Sequence, residues 1–150
     1  MSELVKGVAA PLFDRLASDP PEHGGDLETM EAVQGSIGRE LHRLLNTRSP
    51  LDLSDYAQGD ASVLSYGVPD FSALSAQSAI DLGRLQSALR VAVERYEPRL
   101  ANVSVQAVPA PQRSDCALVQ IGADARVGIE VRRVDFEMLV GGPDSQMKVV

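Results

Sequence analysis

The hydrophobic pattern of the chain changes period at Pro98, and that change limits the folds open to it. Before Pro98 apolar residues recur every three or four positions; after it they alternate. Over 27–47, Met30, Val33, Ile37, Leu41 and Leu44 form one stripe, widened by Leu45, and predict a first main helix. It should end near Leu45–Arg48, since Asn46 tolerates a left-handed C-terminal conformation and Pro50 forbids continuation. Over 76–97, Ile80, Leu82, Leu85, Leu89, Val93 and Tyr96 share a face that Ala88 and Ala92 fill. This second helix stops where proline pushes Glu97 out of the α region. Beyond Leu100, Val103, Val105 and Ala107 alternate with Asn102, Ser104 and Gln106 until Pro109-Ala110-Pro111 ends the strand. Residues 116–127 and 129–140 read as two more strands, with a turn or bulge near Gly122 or Gly128. Gly141-Gly142-Pro143-Asp144 reads as a turn, and 147–150 as a short last strand. Two main helices followed by a small antiparallel sheet of three to four strands is an α+β architecture.

The N-terminal stretch stands apart. Val8, Leu12, Phe13 and Leu16 have helical spacing, and Pro11 suits a first helical turn, so a short N-terminal helix is expected. Ser18 to Asp26 holds two prolines and two glycines and reads as a linker. The expected organisation is a docking segment and linker over 1–26 and one domain over 27–150. The short stripe must dock, on its own domain or on a partner, because helix-in-groove recognition uses the same anchors as core packing. The connection over 48–75 is long for a small domain. Val63, Leu64, Tyr66, Val68 and Phe71 make it too apolar for disorder, so an ordered, packed loop is expected.

Composition excludes more than it names. A chain of 150 residues forms its own core without disulfide or metal. Fourteen Lys and Arg against 21 Asp and Glu give a formal net charge of −7. That argues against non-specific nucleic-acid binding and against adsorption to an anionic membrane. Without Trp, and with only 4% aromatics, the chain is poorly supplied for a sugar cleft or a base-stacking platform. Cys116 is the one cysteine and precedes Ala117-Leu118-Val119, the setting of a buried strand residue. A reactive thiol needs an electropositive site with a nearby histidine. His23 and His42 are scattered, so no metal site and no cofactor is expected. The opening Met1 to Val8 has an early acid and no long apolar run. No secretory signal or membrane insertion is expected, and the expected location is the cytoplasm.

Three strings stand out in order: Leu44-Leu45-Asn46-Thr47-Arg48, Tyr66-Gly67-Val68-Pro69-Asp70-Phe71 and Arg95-Tyr96-Glu97-Pro98-Arg99-Leu100. Together they resemble the baseplate wedge family of contractile injection machines. That family includes the phage tail protein long labelled lysozyme-like and the type VI secretion subunit TssE. Pro11-Leu12-Phe13-Asp14-Arg15-Leu16 is similar to the short leader of the secretion members. The resemblance covers residues 11–108 well and the later strands in pattern only. Val68 stands where the family more often has Leu.

The resemblance implies a structural subunit of a hetero-oligomer, with no catalytic residues and no nucleic acid. It would contact the wedge subunits TssF, TssG and TssK and present a sheet from which the TssB and TssC sheath polymerises. The candidate partner-binding residues are Leu12, Phe13 and Leu16 in the leader, Arg48, Glu97, Pro98 and Arg99 at the helix ends, and Val134 and Phe136 in the sheet. Glu97 faces the negative end of its helix dipole, so a compensating cation is expected from Arg99 or Arg48, as an internal clamp or a partner contact. An open strand edge is expected among 129–140 or at Met147–Val150. Two other functions compete. A muramidase-like hydrolase needs paired carboxylates flanking a sugar cleft, one of them protonated. An adaptor without sheath contact predicts a sheet with protected edges.

Overall fold

A computed structural model describes residues 4–6, 27–127, 129–141 and 147–149. Two short strands, β1 (Leu4–Lys6) and β2 (Leu27–Thr29), pair antiparallel. The first main helix, α1 (Met30–Asn46), follows β2 directly; a short helix α2 (Leu53–Gln58) and a 3₁₀ turn (Val63–Ser65) occupy the long connection. The second main helix, α3 (Ala79–Tyr96), leads into β3 (Leu100–Ala110), β4 (Arg113–Val127), β5 (Glu130–Val140) and β6 (Met147–Val149). These four form an antiparallel meander in chain order. The α+β class and the helices-then-sheet order match the sequence pattern. The leader with Leu12, Phe13 and Leu16, the linker that follows it, and the turn after Gly141 lie outside the described residues.

The helices form where their apolar stripes dictate. Val33, Ile37, Leu41, Leu44 and Leu45 of α1 are buried, as are Leu82, Leu85, Ala88, Leu89, Ala92 and Val93 of α3. Ser78 caps α3 by accepting the Asp81 N–H, and the helix ends at Glu97 before Pro98. Against them the sheet buries Val119, Ile121, Ala123, Val134, Phe136 and Met138. Alternation along β3 and β5 sends the intervening polar residues outward.

Several expectations need correction. The stretch 27–29 is strand, so α1 is shorter than 27–47. Ile80, expected on the core face, is 72% exposed: two positions before buried Leu82, it points about 200° away around α3, on the side of Arg84 and Ser87. The connection is ordered as expected, but it contains a helix the apolar pattern did not reveal. Asp52 accepts the N–H groups of Ser54 and Asp55 at 2.9 Å each and nucleates α2. Val63 and Leu64, expected to pack, point into solvent. The irregularity expected near Gly122 or Gly128 sits opposite, in β3. Between Ala101↔Asp124 and Ser104↔Gly122 β3 has one extra residue, and Asn102 takes φ 50. Gly122 serves another purpose: a side chain there would collide with the Arg133 guanidinium, which crosses it to reach the Ser104 hydroxyl at 3.0 Å.

Leu89 is almost fully buried between α3 and the sheet, so Leu89→Ala should cost about 2–5 kcal/mol in a denaturant titration. Ile80→Ser should stay within about 0.5 kcal/mol, as substitutions at exposed positions usually do. A larger Ile80 effect would mean that this outer face of α3 is packed and not solvated.

Candidate functional site

The three sequence strings converge on one knot. The C-terminal end of α1 meets the second string through a parallel bridge between Arg48 and Val68. The Val68 N–H donates to Thr47 O at 2.9 Å, and the Ser49 N–H donates to Val68 O at 2.8 Å. This approach requires the glycine before Val68. Gly67 has φ +113, and a Cβ there would lie 2.5 Å from the Thr47 carbonyl. The second string meets the third through Tyr66 and Tyr96, whose rings stack edge to face at 5.2 Å. The Tyr96 hydroxyl also bonds Ser65 Oγ at 3.0 Å and donates to Ser62 O at 3.1 Å. Tyr56 of α2 is fully buried and donates its hydroxyl to Gly67 O at 2.7 Å; burial pushes its pKa up to about 12. Arg95 donates to Tyr56 O at 2.7 Å and lies over the Tyr56 ring.

The third string returns the knot to α1. Glu97 is 3% exposed, and Arg99 clamps it with Nε on Oε1 at 2.7 Å and Nη2 on Oε2 at 2.6 Å. The Arg99 N–H also donates to Oε1, at 3.2 Å, and Nη1 reaches Ser36 Oγ of α1 at 3.0 Å. The internal clamp is therefore present, with Ser36 as its third member. Arg48 is not part of it. Its guanidinium turns to the Leu45 carbonyl at 3.4 Å, at the C-terminal end of α1, and helps to keep the Asp70 carboxyl below its ordinary range, mainly the work of Ser72. Pro98 is exposed at the corner. Ser36 and Tyr56 were missed in the sequence. Ser36 sits within an apolar stripe where a buried hydroxyl needs a partner; Tyr56 follows an Asp cap signal that was readable.

Val134 and Phe136 are core residues, not surface ones. Backbone parity explains their place. The Arg126 N–H donates to Arg99 O at 3.0 Å and the Ser104 hydroxyl to Gly122 O at 3.1 Å, so even-numbered residues of β4 face β3. Odd-numbered ones face β5, opposite Val134 at Ala123 and Phe136 at Ile121. Those two residues thus bond inward to β4. Val131, Arg133 and Asp135 direct their N–H and C=O groups the other way. β6 pairs only with Phe136, Glu137 and Met138, and no strand among the described residues meets Val131 to Asp135 from that side.

The opposite edge is obstructed. β3 bulges at Asn102, lacks an N–H at Pro109, and has its Ala107 carbonyl engaged by Gln86 Nε2 of α3 at 3.3 Å. Burial pushes the Cys116 thiol up, in keeping with a strand residue in the core. Among the described residues no group of His, Cys, Asp and Glu could hold a metal ion.

A family model described as baseplate wedge protein gp25 matches residues 31–130, a span that contains all three strings. The chain belongs to the baseplate wedge protein gp25 family. A crystal structure described as a candidate tail lysozyme from Geobacter sulfurreducens shares the fold. Its TM-score is 0.53 at 18% identity, over 79% of this chain and 98% of that one. A chain in a structure of the baseplate complex from the type VI secretion system shares it at TM-score 0.52 and 19% identity, over 75% and 97%. No curated protein sequence matches. The gp25-family knot is closed by a buried pair, and breaking such a pair leaves an unpaired charge behind. Glu97→Ala should therefore cost about 3–5 kcal/mol, and replacing both Glu97 and Arg99 by apolar residues should recover part of it. A loss below about 1 kcal/mol in urea denaturation would make the pair a partner contact and not a clamp.

Proposed function

We propose that this chain is a non-catalytic structural subunit of a type VI secretion baseplate wedge. In this reading it joins the wedge partners TssF, TssG and TssK and templates the TssB–TssC sheath. The gp25 family and the shared fold with a chain of a type VI baseplate complex support the setting. The observation that carries the mechanism is the asymmetry of the sheet among the described residues: one edge obstructed, the other offering Val131, Arg133 and Asp135. A strand added there gains mainly backbone bonds, which suits a first ring that hands over to many identical ones. The reading is of a cytoplasmic protein; no helix among the described residues is long and apolar enough to cross a membrane.

The electrostatics favour structure over hydrolysis. An open groove of about 930 Å³ between α2 and α3 carries the carboxylates Asp52 and Asp70. Donors from Asp55 and Ser54 hold Asp52 below the ordinary range, and Ser72 does the same for Asp70. A glycosidase acid needs the opposite shift.

Proline at Val131 and Asp135 removes two outward N–H donors and spares the ladder to β4. The doubly substituted chain should fold and pair with its wedge partners, yet yield few or no sheaths in cells. Normal sheath number and length from the folded variant would end the strand-addition mechanism. Proline at Val134 or Phe136 is a poor test, because both donate inward. For the leader, if its anchors serve a partner and not their own domain, Leu12→Asp with Phe13→Asp should leave the melting temperature within about 2 °C. It should weaken binding to purified wedge subunits. A large drop in melting temperature would place Leu12 and Phe13 in the core of their own chain.

A further inference from the structure

We propose that Val63 and Leu64 form a docking anchor for a basic protein surface, an apolar pocket rimmed by Lys or Arg on a neighbouring wedge subunit. The inference rests on the wedge reading above and supplies it with a contact surface separate from the strand edge. The two side chains are adjacent and 92% and 86% exposed, far more than their size favours in water. They are not on a slack loop. Ser62 and Ser65 close a reciprocal capping box around them, with each backbone N–H donating to the other hydroxyl at 3.2 Å. Ser65 is buried and also donates to Asp60 O at 3.3 Å. Tyr96 bonds both Ser62 and Ser65 from the end of α3. A turn held this firmly loses little freedom when it docks, and that is the condition under which two small apolar side chains can anchor an interface.

Charge selects the partner. From Ser49 to Gly83 the chain has five aspartates and no Lys, Arg or His. Asp52, Asp55, Asp60 and Asp70 are exposed on this lobe, while Arg95, which reaches it from α3, is engaged by the Tyr56 and Ala57 carbonyls. Such a surface repels the phosphates of nucleic acid and of an anionic membrane. A protein surface with a basic rim complements it, gaining speed and register from the charges and affinity from the apolar pair.

The test uses the purified wedge complex of the same secretion system, prepared without this chain. The chain is titrated onto it at about 50 and 300 mM NaCl, a range over which the screening length falls to about 40% of its starting value. Val63→Ser with Leu64→Ser should weaken binding by roughly tenfold or more at both salts with an unchanged melting temperature. Asp55→Asn with Asp60→Asn should weaken binding at low salt and reduce its salt dependence. If the serine variant binds like the unsubstituted chain, the anchor is wrong and the wedge reading stands. Salt dependence that survives in the asparagine variant overturns the basic rim. An unsubstituted chain that does not bind the complex overturns the wedge reading and this inference with it.

Discussion

A carboxylate at the C-terminal end of a helix faces the negative pole of the peptide dipoles, a cost of about 0.3–1 kcal/mol even at the surface. Glu97 occupies that position almost wholly out of water. It is held there by a two-point guanidinium contact from a residue only two positions on, and by that residue's own N–H. The chain must bend tightly between Glu97 and Arg99 for this to happen, and Pro98 between them has no N–H to leave unpaired. The bend sets the rest. Arg99 reaches Ser36 and so fixes α1 against the corner, while its carbonyl accepts from Arg126 and joins β3 to β4. One three-residue corner therefore positions both main helices and the first two strands.

From that corner the remaining geometry is largely a matter of parity. Once Arg99 pairs with Arg126, even-numbered residues of β4 face β3 and odd-numbered ones face β5. In a two-period element a shift of one residue would exchange the core row Val134, Phe136 and Met138 for the outer row Val131, Arg133 and Asp135. It would also turn the edge donors inward. The extra residue at Asn102 is absorbed in β3, leaving the β4–β5 register unbroken from Ala117↔Val140 to Val127↔Glu130. The irregular strand is thus the obstructed edge, and the regular one is the edge proposed to take a new strand.

The helices and strands were legible because burial writes its period directly into the sequence. Leu41, Leu45, Leu85, Leu89 and Val93 are buried where the stripes put them. What escaped was governed by polar atoms and by strand order. The helix α2 is set by Asp52 and by the burial of one tyrosine, not by an apolar stripe. Ser36 is silent in any pattern until Arg99 arrives from 63 residues away. Of the two cations expected for Glu97 it is Arg99 that pairs, because the bridge to Val68 carries Arg48 toward Asp70 instead. The choice of Val134 and Phe136 as edge residues failed for a simpler reason. Apolar residues mark a strand's buried face, whereas the edge is decided by which backbone groups lack a neighbour, and side-chain type says nothing about that.

The same distinction bears on how loosely the sequence is tied to the fold. This chain shares its architecture with two solved structures at only 18% and 19% identity. An active site of placed side chains would restrict many positions tightly. A surface that works through backbone N–H and C=O groups, as proposed for the β5 edge, would restrict few. It needs the register, a glycine where Thr47 approaches Gly67, and no proline at an inward-facing donor. It also needs a corner whose charges satisfy one another. Most other positions need only keep their place on the buried or exposed face, a requirement that many residues meet. On this view the three strings are visible in the sequence because they build the knot that aims the sheet, while the strand edge itself leaves almost no mark on residue type.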